Sequence, residues 1–534
     1  MDANGPQTTP KIPTVPEDER TPLVVTLLEI CHLQQEKNQA LKDEIARLKG
    51  QKPKPKIKPS TLEKGPDKNK GKGKTTGKRP GSGKRRKTRE LTIHETVVVP
   101  PENIPEGSRF KGHADFTVQD IVFRVHNTLY RSERWLTPSG DYVVGKLPNE
   151  VVEGHFGPTL VSFILSQYYH GHVTQPLILE QLRELTVDIS AGQVNRIITE
   201  NKDRFHEEKD SILAAGLDVS RYIQVDDTGA RHQGKNGFCT HIGNEFFAWF
   251  ESTASKSRLN FLTLLRGKHS DYVLNSDALE YMRNSKLPKA QQEQLATYDK
   301  KILSDGAQWK ATLEGLNVTV ERHVRIATEG ALFGSVLEHG LDPGLAIISD
   351  DAGQFNLLLH GLCWIHAERK INNLVGFTKE NREAIAKVRS EIWDFYNELK
   401  AYKEAPRAQR KVELEARFDE IFTIPTCFVS LNLALKRLHK NKSELLLVLD
   451  RPDIPLHNNS SERDIREYVK KRKISGSTRS ERGRQCRDTF TSLKKTCRKL
   501  RISFWRYLND RVSGRLEIPP LSELIRQKAL AVET

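Results

Sequence analysis

The sequence predicts an α/β protein rich in helix, on three observations. Two apolar runs, "RYIQVDD" and "LAIISDD", each end in paired acids, as buried strands do where they emerge at a sheet edge. Between them, "GFCTHIG" and "NEFFAWFEST" read as further strands separated by turn residues. Helical periodicity begins near Gly157 and dominates the remainder of the chain.

Taken in order, residues 1–20 are rich in Pro and Asp and are expected to be disordered. Over 21–50, Val24, Cys31, Asn38 and Ile45 recur every seven residues, and Leu27, Gln34, Leu41 and Leu48 follow three places later. That is an a/d seam of four heptads, in which a polar Asn at one a position sets the register of a two-stranded coil. An ordinary amphipathic helix is the alternative. Self-association is favoured because a tether of Lys, Pro and Gly over 51–92 leaves no adjacent core. Residues 93–150 read as a small β-rich region with a Pro-Ser-Gly-Asp turn. Over 151–215, "TQPLILEQLRELT" and "SAGQVNRIITENKDRF" suggest a helix-turn-helix, the second helix capped by Ser190. Two packed helices on any core would look the same. The main α/β segment is assigned to 216–375, a charged helical insertion to 376–450, a basic helical block to 451–515 and a C-terminal tail to 516–534. No internal repeat is visible, and 268–335 has no assigned role.

The 534 residues carry a formal charge of +16, and residues 51–90 alone hold sixteen Lys or Arg against Glu63, Asp67 and Glu90. A basic tether of this kind points first to nucleic acid, although an anionic surface or plain solvation would also account for it. Six cysteines, at 31, 239, 363, 427, 486 and 497, form no CxxC pair, which argues against a disulfide framework or a zinc ribbon. No leader pattern and no apolar run of about 18 residues is present, so a soluble protein of a reducing compartment is expected, without a membrane partner.

The chemistry rests on carboxylates. Strand side chains alternate, so only one Asp of Asp226-Asp227 and one of Asp350-Asp351 can face a given side. A third acid, Glu462, heads "NNSSERDIREYVKKRK". If Asp226 and Asp350 sit on adjacent strands and Glu462 on a helix crossing their ends, the three repel one another until a proton or a divalent cation intervenes. Mg²⁺ or Mn²⁺ suits such an all-oxygen set, and two ions could flank a phosphodiester. The structural alternatives are that Asp351 caps a helix and that Asn459-Ser-Ser-Glu462 is a capping box, worth about 0.5–2 kcal/mol. Residues 462, 466, 470 and 473 share one helix face, so the acid is followed by Arg466, Lys470 and Lys473.

With these residues in view, "VDDTGAR", "ISDDAGQFNLLLHGLCWIHAERK" and "NNSSERDIREYVKKRKISGSTRSERG" resemble three signature blocks of bacterial insertion-sequence-66-type transposases, over about residues 150–510. The resemblance implies an RNase-H-like catalytic core with a DDE triad, Asp226, Asp350 and Glu462, as catalytic and metal-binding residues. It implies Mg²⁺ (or Mn²⁺) as cofactor and the 376–450 insertion between the second Asp and the Glu. Cys363-Trp364-Ile365-His366 matches the family's Cys-Trp-x-His block, with His366 and Arg369 as candidate DNA contacts. Arg463, Arg466, Lys470, Lys473, Arg479, Arg482 and Arg484 are the expected phosphate-binding residues, and Leu27, Asn38, Leu41, Ile45 and Leu48 the self-association seam. This chain departs from the family in having no cysteines between 32 and 238, where a zinc module is common; that module is expected to be absent, or replaced by the strands at 95–147.

The implied activity is DNA transposition: metal-dependent cleavage at insertion-sequence ends, then strand transfer into target DNA. The implied partners are those DNAs, a second copy of the chain and accessory proteins. The implied location is the bacterial cytoplasm, at the nucleoid. Alternative functions are a catalytically silent, self-associating DNA-binding protein and an RNase-H-like nuclease without strand transfer.

Overall fold

The computed structural model describes residues 16, 21–48, 92–122, 124–148, 155–299 and 301–533. Two compact units divide the chain, residues 30–123 and residues 1–29 with 124–534. Helix α1 (Pro22–Leu48) covers the heptad segment. Leu27 is 51% exposed and Asn38 is exposed. The side chains of Leu41, Ile45 and Leu48 fall outside the described residues, as do the tether at 51–91 and nearly all of 1–20.

The expected β-rich region is smaller than its sequence suggests. Among the described residues of 92–148, strands form only at β1 (Arg134–Leu136) and β2 (Tyr142–Val144). They pair antiparallel around the anticipated turn, where Thr137 N donates to Asp141 O and Gly140 N to Thr137 O. The other apolar runs, such as Val97–Val99, stay exposed. Strand propensity reports a fit to a half-buried sheet, and these runs have no neighbouring strand to supply one.

The helical region comes next, with α2 (Pro158–Leu165), α3 (Gln175–Glu184), α4 (Ala191–Thr199) and α5 (Asp203–Asp218). Ser190 Oγ accepts from Gln193 N, capping α4 as its sequence predicts. Ile178 and Leu182 of α3 and Val194, Ile197 and Ile198 of α4 bury their stripes in the main core.

Beyond them lie β3 (Tyr222–His232), β4 (Lys235–Gly243) and β5 (Ala248–Thr253), then α6 (Arg258–Arg266). The stretch from 268 to 339 forms a small inserted unit: β6 (Tyr272–Val273), α7 (Ser276–Asn284), α8 (Lys289–Thr297), β7 (Ile302–Leu303), α9 (Gly306–Gly315) and α10 (Glu321–Glu338). It is a structural duplication. Each half runs strand, cap, short helix, left-handed residue, second helix. Asn275 caps α7 and Asp305 caps α9; Lys286 and Asn317 hold positive φ; Leu287 N donates to Met282 O and Val318 N to Leu313 O. The halves join through β6 and β7 over a shared core including Met282, Leu295, Trp309 and Leu313.

The chain then returns to the sheet with β8 (Ala346–Ser349) and β9 (Leu359–Leu362). The sheet order is β5-β4-β3-β8-β9, with β3, β4 and β5 antiparallel and β8 and β9 parallel to β3. Ile223, Val225, Ile242 and Ile347 point into the main core. Ala346, Ile348 and Leu362 belong to a second core built by α11 (Trp364–Asn372), α12 (Lys379–Glu404), α13 (Ala408–Thr423), α14 (Val429–Lys440) and α15 (Lys442–Leu445). Trp364, Phe395, Phe418 and Phe422 fill it, so the charged stretch from 376 to 450 is a packed helical layer.

Helix α16 (Asn459–Ser475) lies over β3 and β4. Helix α17 (Glu481–Lys499) runs along β5, and α18 (Phe504–Ser513) and α19 (Leu521–Glu533) close the main core. The expected C-terminal tail is therefore corrected to a docked helix. Leu521, Ile525 and Ala529 recur every four residues and are buried, the spacing of one helical stripe.

Candidate active site

Asp226 lies within β3, and Asp350 immediately succeeds β8. Tyr222 pairs with Ala346 and Gln224 with Ile348 in a parallel ladder. Continuing that register two residues sets Asp226 opposite Asp350, on strands about 4.8 Å apart. Alternation then separates the acids of each pair. Asp226 shares its face with Gln224, whose Nε2 donates to His457 O at 2.6 Å, and with Thr228, whose Oγ1 accepts from Arg472 at 3.2 Å. This is the face that α16 crosses. Asp227 looks to the opposite face, where it accepts from Thr240 Oγ1 at 2.5 Å and Gln354 Nε2 at 2.9 Å. Asp351 is taken up by Lys370 and by Asn441 Nδ2 at 3.3 Å, so it caps no helix.

Glu462 is in the first turn of α16, and that turn is fastened to the sheet from several sides. Asn458 Nδ2 donates to Val225 O at 2.7 Å, one residue before Asp226, and Asn458 N donates to Cys363 Sγ at 3.2 Å. His241, the cross-strand neighbour of Asp226, hydrogen-bonds Ser461 Oγ at 2.7 Å. Asp464 pairs with Lys495 at 3.0 Å and Lys499 at 2.7 Å, and these cations and His241 hold its carboxyl well below the usual range although burial opposes them. Glu467 pairs with His172 and Lys494, and Arg472 donates to Gly229 O. These anchors fix the rotation of the helix and with it the direction of Glu462.

The electrostatics of Asp226 respond to the other two acids. Burial pushes the Asp226 carboxyl up to about 7, and the charges of Asp350, Asp227 and Glu462 add to the effect while the Asp227 backbone N–H opposes it. Asp350 Oδ1 and Glu462 Oε1 are buried and accept no hydrogen bond from the described residues. His366 Nε2 lies 3.5 Å and Arg369 Nη2 3.9 Å from Glu462 Oε1, and Arg466 Nη2 lies 3.3 Å from Oε2. Burial lowers the His366 pKa, and Arg369 lowers it further. His366 and Arg369, expected to face DNA directly, thus flank the glutamate. No capping-box bond from the Glu462 side chain to the backbone is present among the described residues.

Carboxylate oxygens of this kind, beside an aspartate whose pKa burial raises, suit a hard divalent cation. Asp226, Asp350 and Glu462 are not gathered within 4.8 Å as a set, so one ion held by all three would have to draw them closer.

Around the acids, Arg463, Arg466, Lys470, Lys473, Arg479 and Arg482 are exposed. Arg484 is not part of that surface: its guanidinium donates to Ser252 O at 2.6 Å and pairs with Glu481, tying α17 to β5. Cys363 is buried with its thiol pKa raised by burial, and its Sγ accepts from Asn458 N.

Sequence reasoning missed the role of α17. Twelve consecutive residues from Cys486 to Cys497 are buried. Asp488 Oδ2, Ser492 Oγ and Thr496 Oγ1 accept from the backbone N–H groups of Ser252, Phe250 and Ala248, at 2.8, 2.9 and 3.1 Å. The helix takes the place of a neighbouring strand along the edge of β5. The available signal was the Asp-x₃-Ser-x₃-Thr spacing, which puts three short acceptors on one helical face.

Comparison with known proteins agrees with this region. Residues 347–486 match the family model described as "Transposase IS66 family". A curated relative, "Uncharacterized protein y4jO" of Sinorhizobium fredii (strain NBRC 101917 / NGR234), is 43% identical over 321 residues, which are 60% of this chain and the whole of the relative.

Proposed function

The chain belongs to the IS66 family of transposases, and from that premise we propose that it is a DDE transposase that cuts DNA at insertion-sequence ends and joins the freed 3′-hydroxyl to target DNA. The observation that supports this reading is the shared face of β3 and α16, where Asp226 stands in register with Asp350 and the charges of Asp350 and Glu462 both raise the Asp226 pKa. The strand order, three antiparallel strands and then two parallel ones, supports an RNase-H-like core.

Asp226, Asp350 and Glu462 would hold Mg²⁺ or Mn²⁺. When bound, such ions supply Lewis acidity to the phosphodiester and lower the pKa of water. The protein orients the rest. Arg463, Arg466, Lys470 and Lys473 line the open side of α16, and Arg479 and Arg482 lie just beyond it, a distribution suited to holding phosphates without reading bases. Arg466 and Arg369 partly neutralise Glu462 in the free protein and would turn to phosphate when a cation takes their place. The exposed Leu27 and Asn38 fit a seam awaiting a second copy, and α3 with α4 is the proposed DNA-binding helix pair. Accessory proteins and a nucleoid location belong to the same reading.

The test is purified protein with labelled element-end DNA, in Mg²⁺ and in chelator. Cleavage should require the cation and vanish in Glu462→Ala while end binding persists. Undiminished cutting by that variant would refute the assignment. Binding without cutting in the parent would leave a silent DNA-binding protein, and cutting without joining of a pre-cut end would leave a nuclease.

A further inference from the structure

We infer that His269, Asp271 and His339 form a second metal site, for a divalent transition ion of the zinc class, at the stem of the inserted unit. One ligand atom from each of the three lies within 4.8 Å of the others, and among the described residues they are the one His, Cys, Asp or Glu group so gathered. His339 Nε2 is 2.9 Å from Asp271 Oδ1 and 3.0 Å from Oδ2. The His269 and His339 rings stack with centroids 3.4 Å apart and planes 10° from parallel. Two imidazoles and one carboxylate make a three-ligand set that leaves a fourth tetrahedral position to water. Nitrogen donors favour Zn²⁺, Co²⁺ or Ni²⁺ over Mg²⁺, so the site differs in kind from the all-carboxylate cluster. Bonds of about 2.0–2.2 Å require the two rings to splay from their stack so that both lone pairs turn to one point. Both histidines are exposed, which gives the rings room and the ion a path.

The surroundings are built to hold the ligands in place. Ser335 Oγ, on α10, donates to Asp271 Oδ1 at 3.0 Å, the outer-sphere contact that orients a ligating carboxylate. Helix α10 approaches β6 closely because of Gly334 and α7 closely because of Gly330. A Cβ at Gly334 would meet Val273 O at 2.5 Å, and one at Gly330 would meet Met282 Cγ at 2.7 Å. That approach delivers His339, just past the end of α10, to Asp271, just before β6. The site therefore joins the two ends of the 268–339 duplication. An ion there would staple the unit where it leaves the sheet.

The competing description is a His339–Asp271 hydrogen bond with no ion. The experiment uses the full chain carrying Asp226→Asn, so that the carboxylate cluster contributes little, stripped with chelator and titrated calorimetrically with Zn²⁺ alone. Co²⁺ absorption serves as an independent readout. The expected result is saturable binding of one equivalent, with tetrahedral Co²⁺ bands, unaffected by excess Mg²⁺. In His269→Ala and in His339→Gln, affinity should fall by more than the roughly 10–100-fold that outer-shell changes produce, with far-ultraviolet circular dichroism unchanged. No saturable binding in the parent, or equal binding in both histidine variants, would overturn the site.

Discussion

Helices α16 and α17 are consecutive, both rich in Arg and Lys, and meet opposite fates. α16 buries Ser461, Asp464, Ile465, Tyr468 and Lys471 and leaves Arg463, Arg466, Lys470 and Lys473 in solvent. α17 sinks a continuous run from Cys486 to Cys497 into the protein, including Arg487, Lys494 and Lys495. The difference lies in where polar atoms find partners. Along α17, three short acceptors meet three edge N–H groups, Lys495 and Lys499 meet Asp464, and Lys494 meets Glu467 and Tyr169 O. A buried ionic group is tolerable when it is paired and hydrogen-bonded, and costly otherwise. α16 receives those cations on its inner side, and on its outer side Glu462 has only the longer contacts to His366, Arg369 and Arg466 while the bases stay exposed. Exposure tracks pairing, not composition.

Breaking the outer side of α16 should abolish chemistry and spare the fold. Glu462→Ala and Asp350→Ala should each reduce Mg²⁺-dependent end cleavage by about 10³-fold or more, with urea midpoints near the parent value. A large loss of stability would instead make Glu462 a structural cap.

The next effect is on stability against pH. The folded Asp226 carboxyl titrates near 7, against about 3.9 in an unfolded chain. Its stabilising contribution is therefore full below about pH 4 and is lost as pH rises through about 7. The loss is on the order of 4 kcal/mol in cation-free buffer. Asp226→Asn should flatten that part of the profile, and Mg²⁺ should raise the melting temperature of the parent more at pH 8 than at pH 5. Equal Mg²⁺ shifts at both values would separate Asp226 from the cation site.

Breaking the inner helix should do the reverse. Asp488→Leu, which orphans the Ser252 N–H and leaves its hydroxyl only the Tyr468 partner, should cost about 2–4 kcal/mol in urea unfolding, and Ser492→Ala, which orphans Phe250 N–H, about 1–2 kcal/mol. Loss of activity should accompany loss of fold. The smallest effects are expected at Lys470 and Lys473: changing either to Ala should move stability by less than about 0.5 kcal/mol while lowering the salt slope of DNA binding by about one unit. An unchanged slope would place the DNA elsewhere.

Much of the candidate site was legible because acids that end apolar strands are conspicuous. Asp350 does follow its strand, but β3 runs on to His232, so Asp226 stands mid-strand rather than at a sheet edge as expected, and alternation along β3 separates it from Asp227. The docking of α16 was legible only as a face of charges. Its anchors, Asn458 to Val225 and His241 to Ser461, join residues more than two hundred positions apart, and no local pattern carries them. α17 was hidden because its inner stripe is polar, so periodicity of apolar residues does not report it. The duplication at 268–339 escaped because its strands are two residues long and its halves share caps and turns more than side chains. The runs over 93–133 misled in the opposite sense, having strand-like composition and no partner strand.

The reach of Asn458 has one more consequence. The stretch that matches the family model, 347–486, holds the glutamate helix but omits Val225, whose carbonyl that helix hooks onto, and omits β3 altogether. A gene fragment encoding the recognisable signature alone would make a polypeptide without its own landing place. The heritable unit of this machine is larger than the mark by which it is recognised.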